Sequence, residues 1–314
     1  MNKPYRVLAA LATGALLALP VQAQQFINVL SGGTSGIYYP LGVSLTQIYG
    51  KAIPEAKATV QATKASAENL NLLQAGRGEI AWTLGDALSL AWKGDADAGF
   101  KAPLNKLRGV SATYSNYIQI VASADSGIKS MADLKGKRIS VGAPKSGTEL
   151  NARAILKAAG LGYGDFAKVE YLPFGESVEL IKNRQLDVTL QSAGLGVASI
   201  RDLATSVSIV VVPIPADVVA KVGDAAYQSA IIPANTYQGQ AADVPTAVIP
   251  NFLVTHEGVS ADLVCKMAKS MYDNLDMMVA AHAAAKAIKR ENATKGMPLP
   301  LHPGAEKYYK NGAC

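Results

Sequence analysis

Residues 26–48 read FINVLSGGTSGIYYPLGVSLTQI. The apolar run Phe26 to Leu30 predicts a short strand, and it stops at Ser31, Gly32, Gly33, Thr34, Ser35, Gly36. Ile37, Leu41, Leu45 and Ile48 then recur at helical spacing. A strand that runs through a glycine-rich turn straight into a helix is the opening half of an α/β unit.

The alternation continues downstream. Ala58 to Gln61 and Ile80 to Thr83 read as strands, and Glu68 to Ala75 and Asp86 to Trp92 as helices, which implies a parallel sheet. A long apolar segment, Val110 to Ser123, leads to a second unit. Its expected strands are Arg138 to Val141, Val169 to Phe174, Leu186 to Gln191 and Val207 to Val212; its helices are Glu149 to Ala159, Ser177 to Asn183 and Val197 to Ala204. The run Val248 to Thr255 resembles the earlier exit strand and is followed by helical sequence from Asp262 to Ala285, so the chain is expected to cross back there. The expected organisation is a first lobe of residues 24–115 and 250–314, interrupted by a second lobe of residues 116–249. Apolar residues make up 49% and charged residues 17%, with 28 Gly and 15 Pro without a period, which suits a globular α/β protein rather than a disordered, collagenous or coiled-coil chain.

Residues 1–23 carry the pattern of a signal peptide. Lys3 and Arg6 precede an uncharged stretch from Val7 to Leu19, and Val21, Gln22, Ala23 have the small-x-small form of a cleavage site, so the mature chain is expected to begin at Gln24 and to be periplasmic. As a helix the stretch would cover only about 20 Å, against roughly 30 Å of hydrocarbon. Cleavage leaves 28 basic against 24 acidic residues, a net charge of +4 with no basic block, which gives nucleic-acid binding no support. The two cysteines, Cys265 and Cys314, are expected to form a disulfide in an oxidising compartment.

Catalytic motifs are incomplete. His256, His282 and His302 have no Cys, Asp, Glu or His at metal-ligand spacing, so no metal site is expected. Ser35 lacks the second glycine of a nucleophile elbow, since Ile37 stands in its place. Gly142 to Thr148 spaces its glycines like a phosphate loop but lacks the lysine, and Gly194, Leu195, Gly196 has Ser199 where a dinucleotide fingerprint has its third glycine. No cofactor and no enzymatic activity are expected.

What recurs instead is a turn of small and hydroxyl residues at a helix start in each half, Gly33 to Gly36 and Ser146 to Thr148. Such turns present free backbone N–H groups and the positive helix end to an anion. A local role fits as well: Ser146 and Glu149 match a capping box, and Thr34 or Ser35 could simply cap. Arg153 and Lys64 lie near the turns and are cations available to a carboxylate, or ordinary surface residues.

At these residues the sequence resembles the TAXI family, the solute receptors of one class of TRAP transporters. The resemblance covers the whole mature chain and is carried by Gly32 to Gly42 and by Pro144 to Glu149, with support from Ser66 to Leu70 and Asp243 to Thr246. It implies a two-lobed periplasmic-binding fold of the second type, each lobe a mostly parallel sheet flanked by helices, joined by two crossing strands. It also implies capture of a small carboxylate-bearing solute between the lobes and delivery to the membrane subunits of a TRAP permease; the expected solute is a mono- or dicarboxylate or an acidic amino acid such as glutamate, and the receptor is expected to be a monomer. Carried over by position, Thr34, Ser35, Gly36 and Tyr38 or Tyr39 hold one side of the solute. Ser66 and Asn69 add polar contacts, Thr83 and Asp86 line the cleft, and Ser146, Gly147 and Thr148 close from the second lobe. Gln191 and Ser192 lie where the family has a glycine-rich turn leading to proline, and Gly196 stands in place of that proline. The rival readings are an ABC-type receptor for an organic anion and a secreted serine hydrolase using Ser35 or Ser146.

Overall fold

The computed structural model describes residues 24–314, so the expected signal peptide at 1–23 lies outside the described residues. In chain order the elements are β1 (Gln25–Leu30), α1 (Tyr38–Ala52), β2 (Ala56–Gln61), α2 (Ser66–Gln74), β3 (Ile80–Leu84), α3 (Gly85–Lys93), β4 (Leu107–Ser123), β5 (Arg138–Ser140), α4 (Gly147–Ala158) and β6 (Lys168–Glu170). They continue as α5 (Phe174–Lys182), β7 (Val188–Ala193), α6 (Ala198–Ser206), β8 (Ile209–Val212), α7 (Ala216–Lys221), β9 (Gln228–Ile232), β10 (Val244–His256), α8 (Ala261–Asp273), α9 (Leu275–Ala281) and α10 (Pro303–Asn311).

The strands join in the order β2-β1-β3-β10-β4-β7-β5-β6, with β8 paired to β4 and β9 to β10. Pairing is parallel within β2-β1-β3 and within β7-β5-β6, and antiparallel wherever β4 or β10 takes part. These two long strands make the molecule two-lobed. Residues 107–117 of β4 pair with β10, whereas residues 117–122 pair with β7; β10 pairs with β9 over 244–248 and with β3 over 251–254. Each strand therefore belongs to one lobe at one end and to the other lobe at the other end.

Both faces of the sheet are covered. The strand period of two sends Ile80 and Trp82 of β3 to one apolar layer and Ala81 to the other, and splits Leu253 from Phe252 and Val254 of β10 in the same way. Strands buried on both faces read as continuous apolar runs. That is why their order along the chain was visible but their partners were not.

Helix limits follow local chemistry. Pro40 is tolerated in the first turn of α1, where its missing N–H would have no partner, and Pro54 stands just beyond the helix end. His302 caps α10 by accepting the Gly304 N–H at Nδ1, Pro303 occupies the first helical position, and the helix ends at Gly312 with φ 69°. Two expected elements differ. The strand expected to reach Phe174 stops at Glu170, because Pro173 sets the entry to α5. The single helix expected over 262–285 breaks at Asn274, whose side-chain amide donates to the Ser270 carbonyl and competes with the backbone ladder. α7 and β9 were not expected. Cys265 of α8 is bonded to Cys314, with Cα atoms 5.6 Å apart, so the C-terminal residue is tied to that helix.

Among the described residues no helix is long and apolar enough to cross a membrane.

Candidate functional site

The starts of four helices meet at one cavity between the lobes. Its wall includes Gly33, Ser35, Gly36, Ile37 and Tyr38 at the start of α1, Ala65 and Ser66 at α2, Ser146, Gly147 and Thr148 at α4, and Pro173 and Phe174 at α5. Leu84, the residue before α3, and the strand residues Tyr114, Asn116, Ser192 and Ala193 complete much of it. The cavity volume is about 100 Å³, room for a small organic molecule in place of a handful of waters.

Local sequence explains why the amides there are free. Residues at N1 to N3 of a helix have no carbonyl four places back. In α4 the Ser146 Oγ accepts the Glu149 N–H at 3.1 Å, which leaves the N–H groups of Gly147 and Thr148 uncapped. The expected capping box is only half made, because the Glu149 carboxylate turns to Arg153 and Tyr163 instead. α1 has no side-chain cap at all. Two residues beside the cavity have positive φ without being glycine, Ala65 at 68° and Lys145 at 61°. Such backbone is held only by its surroundings, and here the Lys145 carbonyl accepts the Glu68 N–H from the opposite lobe at 3.2 Å.

The electrostatics favour an anion. No Asp, Glu or His lines the cavity, and Lys64 does. The Lys64 ammonium has no ion-pair partner among the described residues. Burial pushes the Tyr38 and Tyr114 hydroxyls well above the ordinary tyrosine range, so both stay neutral. Tyr38 stacks on Trp82, with ring centroids 5.6 Å apart, and donates its hydroxyl to Asn251 Oδ1. Asn251 Nδ2 donates to Asn116 Oδ1 at 2.8 Å, and Asn116 Nδ2 to the Ser192 carbonyl at 2.9 Å. This chain of bonds joins α1, both crossing strands and β7 along one wall.

Of the expected ligand residues, Ser35, Gly36, Tyr38, Ser66, Ser146, Gly147, Thr148 and Ser192 are brought together at the cavity. The others stand away from it. Thr34 is exposed on the outside of its turn, and Tyr39, half-buried, is not among the wall residues. Asn69 is fully buried, and its amide donates to the carbonyls of Ser31 and Trp82 while its Oδ1 accepts from Thr63, so it pins β1, α2 and β3 together. Thr83 is buried and its hydroxyl donates to the Leu84 carbonyl. Gln191 Oε1 accepts from Ser199. Asp86 lines a second groove between the lobes together with Arg153, and accepts from Asn151 and Tyr227 there. Arg153 also donates to the Asp97 carbonyl at 2.6 Å, so it bridges the lobes rather than facing the cavity.

Tyr114, Asn116, Lys64 and Phe174 line the cavity although sequence reasoning did not single them out as ligand contacts, apart from Lys64 as an uncommitted cation. Tyr114 and Asn116 lie in a crossing strand whose apolar run gave no polar signal. Phe174 was assigned to the end of a strand. The pause Tyr114, Ser115, Asn116 inside that run was the one available hint.

All three histidines have local work. His256 Nδ1 accepts the Gly258 N–H, His282 Nδ1 accepts the Ala284 N–H, and His302 caps α10. Burial lowers the pKa of each.

A model of the NMT1-like family matches residues 29–312. Among solved structures, PhnD1 from Prochlorococcus marinus in complex with methylphosphonate is 10% identical with a TM-score of 0.57, covering 85% of this chain and 92% of that one. The binding protein component of an ABC phosphonate transporter from Pseudomonas aeruginosa is 13% identical with a TM-score of 0.54, covering 85% and 80%. A putative L-cystine ABC transporter protein from Listeria monocytogenes is 15% identical with a TM-score of 0.51, covering 87% and 99%. At these identities the likeness is one of fold, and it is that of a two-lobed periplasmic binding protein.

Proposed function

We propose that the chain, which belongs to the NMT1-like family, is an extracytoplasmic receptor that captures a small organic anion between its lobes and delivers it to a membrane transporter. The observation that carries this reading is the meeting of uncapped helix starts from both lobes at a cavity with no acidic wall residue. Each helix end contributes about 0.3–2 kcal/mol toward an anion. A micromolar complex needs roughly 8 kcal/mol, so side-chain hydrogen bonds and burial of the rest of the solute supply the balance.

On this reading residues 1–23 are removed on export, and lobe I is 24–115 with 250–314 and lobe II 116–249. The cuts at 115/116 and 249/250 are supported by the change of strand partners near the middle of β4 and of β10. Ser35, Gly36, Tyr38 and Ser66 hold the solute from lobe I; Ser146, Gly147, Thr148 and Ser192 hold it from lobe II. No His, Asp or Glu lines the cavity beside Ser35 or Ser146, which favours binding over hydrolysis by a serine triad.

The resemblance carried by the first turn and by Pro144 to Glu149 supports a carboxylate as solute and a TRAP permease as partner. A second reading, an ABC-type receptor for an organic anion, is favoured by the names of the structural neighbours, two of which concern phosphonates. Calorimetry with a panel of mono- and dicarboxylates and methylphosphonate tests the solute class. Enlarging Ser146 to Trp is expected to abolish binding while the fold survives; unchanged affinity would refute the site. Uptake by membrane vesicles containing the permease separates the transporters: an ion gradient drives one, ATP the other.

A further inference from the structure

Asp86 is a lobe I carboxylate enclosed by lobe II. It is 2% exposed, and its partners, Asn151 of α4 and Tyr227 just ahead of β9, both belong to the other lobe. The three protons these side chains offer are all in use. Asn151 Nδ2 donates to Asp86 Oδ2 at 2.6 Å and to Tyr227 Oη at 2.8 Å, and the Tyr227 hydroxyl donates to Asp86 Oδ2 at 2.7 Å. Asp86 Oδ1 and Asn151 Oδ1 remain as buried acceptors without a donor. The cluster is thus one proton short, and a carboxylate buried in that state is far better tolerated neutral than charged.

No cation makes up the deficit. Arg153, Lys157 and Lys221 line the same groove, but Arg153 is paired with Glu149 and Lys221 with Asp217, and among the described residues none forms an ion pair with Asp86. Asp95, Asp97 and Asp224 add negative charge to the groove, and the Tyr38 hydroxyl senses the Asp86 charge from the side of the solute cavity.

We propose that Asp86, Asn151 and Tyr227 form a proton-operated latch between the lobes, so that closure takes up a proton and the lobes part as it leaves. This goes beyond the receptor reading and needs no particular solute. When the lobes part, Asp86 exchanges both partners for water and ionises near the ordinary carboxylate value of about 4. In the closed form burial pushes its pKa up to about 6, against the pull of the Tyr227 hydrogen bond and of the backbone amides of Asp86 and Ala87, with Asp224 adding to the rise. Closure is therefore strongest below pH 4, weakens as pH rises to 6 and is level above; between pH 5 and 7 the ratio of closed to open molecules falls about tenfold. His282, which faces the Gly196 backbone of the other lobe, acts in the opposite direction: burial lowers its pKa, so its protonation opposes closure in acid. Because α4 also carries Gly147 and Thr148 of the cavity wall, the latch and the cavity close together.

The test is small-angle X-ray scattering from the mature protein, stripped of any carried solute by unfolding in urea and refolding, across pH 5 to 7.5. The wild-type radius of gyration is expected to be smallest at pH 5 and to grow toward pH 7.5. Asp86→Asn, which is neutral at every pH and keeps an acceptor for Asn151 and Tyr227, is expected to stay at the small radius throughout. A wild-type radius that does not change with pH, or a change of the same size in Asp86→Asn, overturns the latch. No solute enters the measurement, so failure of the anion-receptor reading leaves its outcome untouched.

Discussion

Asn151 of α4 and Asp86 of α3 meet across the two lobes, the Asn151 amide donating to the Asp86 carboxylate at 2.6 Å and the Tyr227 hydroxyl donating to the same oxygen at 2.7 Å. Both helices also contribute to the cavity, α4 through Gly147 and Thr148 and α3 through the preceding Leu84. The contact that holds the lobes and the cavity wall are therefore two to four residues apart along the same chain segments.

Asp86 is 2% exposed, and burial pushes its pKa up to about 6, with the Tyr227 hydrogen bond pulling the other way and Asp224 adding to the rise. The native state thus holds the proton more tightly than the unfolded chain, whose value is about 3.9. Stability from this group is present below pH 4 and is lost as pH rises toward 6, by up to about 3 kcal/mol, and is flat above. Urea unfolding midpoints between pH 4 and 7 are expected to show this loss in the wild type and not in Asp86→Asn. Equal slopes in the two proteins would remove Asp86 as the cause.

Gly147 of α4 packs against Ser66 and Leu84 of the other lobe. A Cβ there would lie 2.5 Å from both Ser66 Oγ and Leu84 Cδ1. Gly147→Ala should therefore hold the lobes apart and weaken solute binding by about 1–3 kcal/mol, roughly five- to 150-fold. Its global stability should hold or rise, because alanine suits a helix better. Calorimetry paired with thermal unfolding checks this; undiminished affinity would mean that the bound lobes do not meet in this way.

Asn69→Ala is expected to do the reverse. The change removes the amide's bonds to the carbonyls of Ser31 and Trp82; Ser31 keeps its bond from the Thr63 hydroxyl, and loss of the buried donor to Trp82 costs about 1–3 kcal/mol. A large fall in the urea midpoint, with near-native affinity in whatever remains folded, is the expected outcome. Lost affinity at full stability would return Asn69 to the solute.

Lys64→Ala should weaken anion binding a few-fold in low salt, with the two proteins converging as ionic strength rises, because an exposed cation is screened within about 10 Å at 0.1 M. Titrations at 20 and 500 mM salt distinguish this from a salt-independent loss, which would point to direct, desolvated contact.

Cys314→Ser opens a cross-link spanning 49 positions. On the chain-entropy account this removes about 4 kcal/mol of stability. The melting temperature should fall in the variant and, for the wild type, in reductant; the variant itself should not respond to reductant.

The turns at Gly33 to Gly36 and Ser146 to Thr148 were legible because a helix start is a local event: small residues, hydroxyls and free amides within a few positions declare it. The place of Ser35, Ser66, Ser146 and Thr148 on the cavity wall could be anticipated for the same reason. Asn69, Thr83 and Asp86 mislead because a polar residue after a strand can serve a neighbour's carbonyl, its own backbone or the opposite lobe as readily as a solute. Nothing within a few residues distinguishes those uses.

The amino-acid sequence by itself determined the alternation of strand and helix and the places where helices begin uncapped, since each depends on periodicity or on the chemistry of adjacent residues. Only tertiary structure decided that β4 and β10 change partners midway, that Tyr114 and Ser192 share one cavity wall, and that Asp86 reaches Asn151. Those facts depend on contacts between residues distant in the chain, 65 positions apart for Asp86 and Asn151, which follow from how the sheet is assembled and leave no mark in local composition.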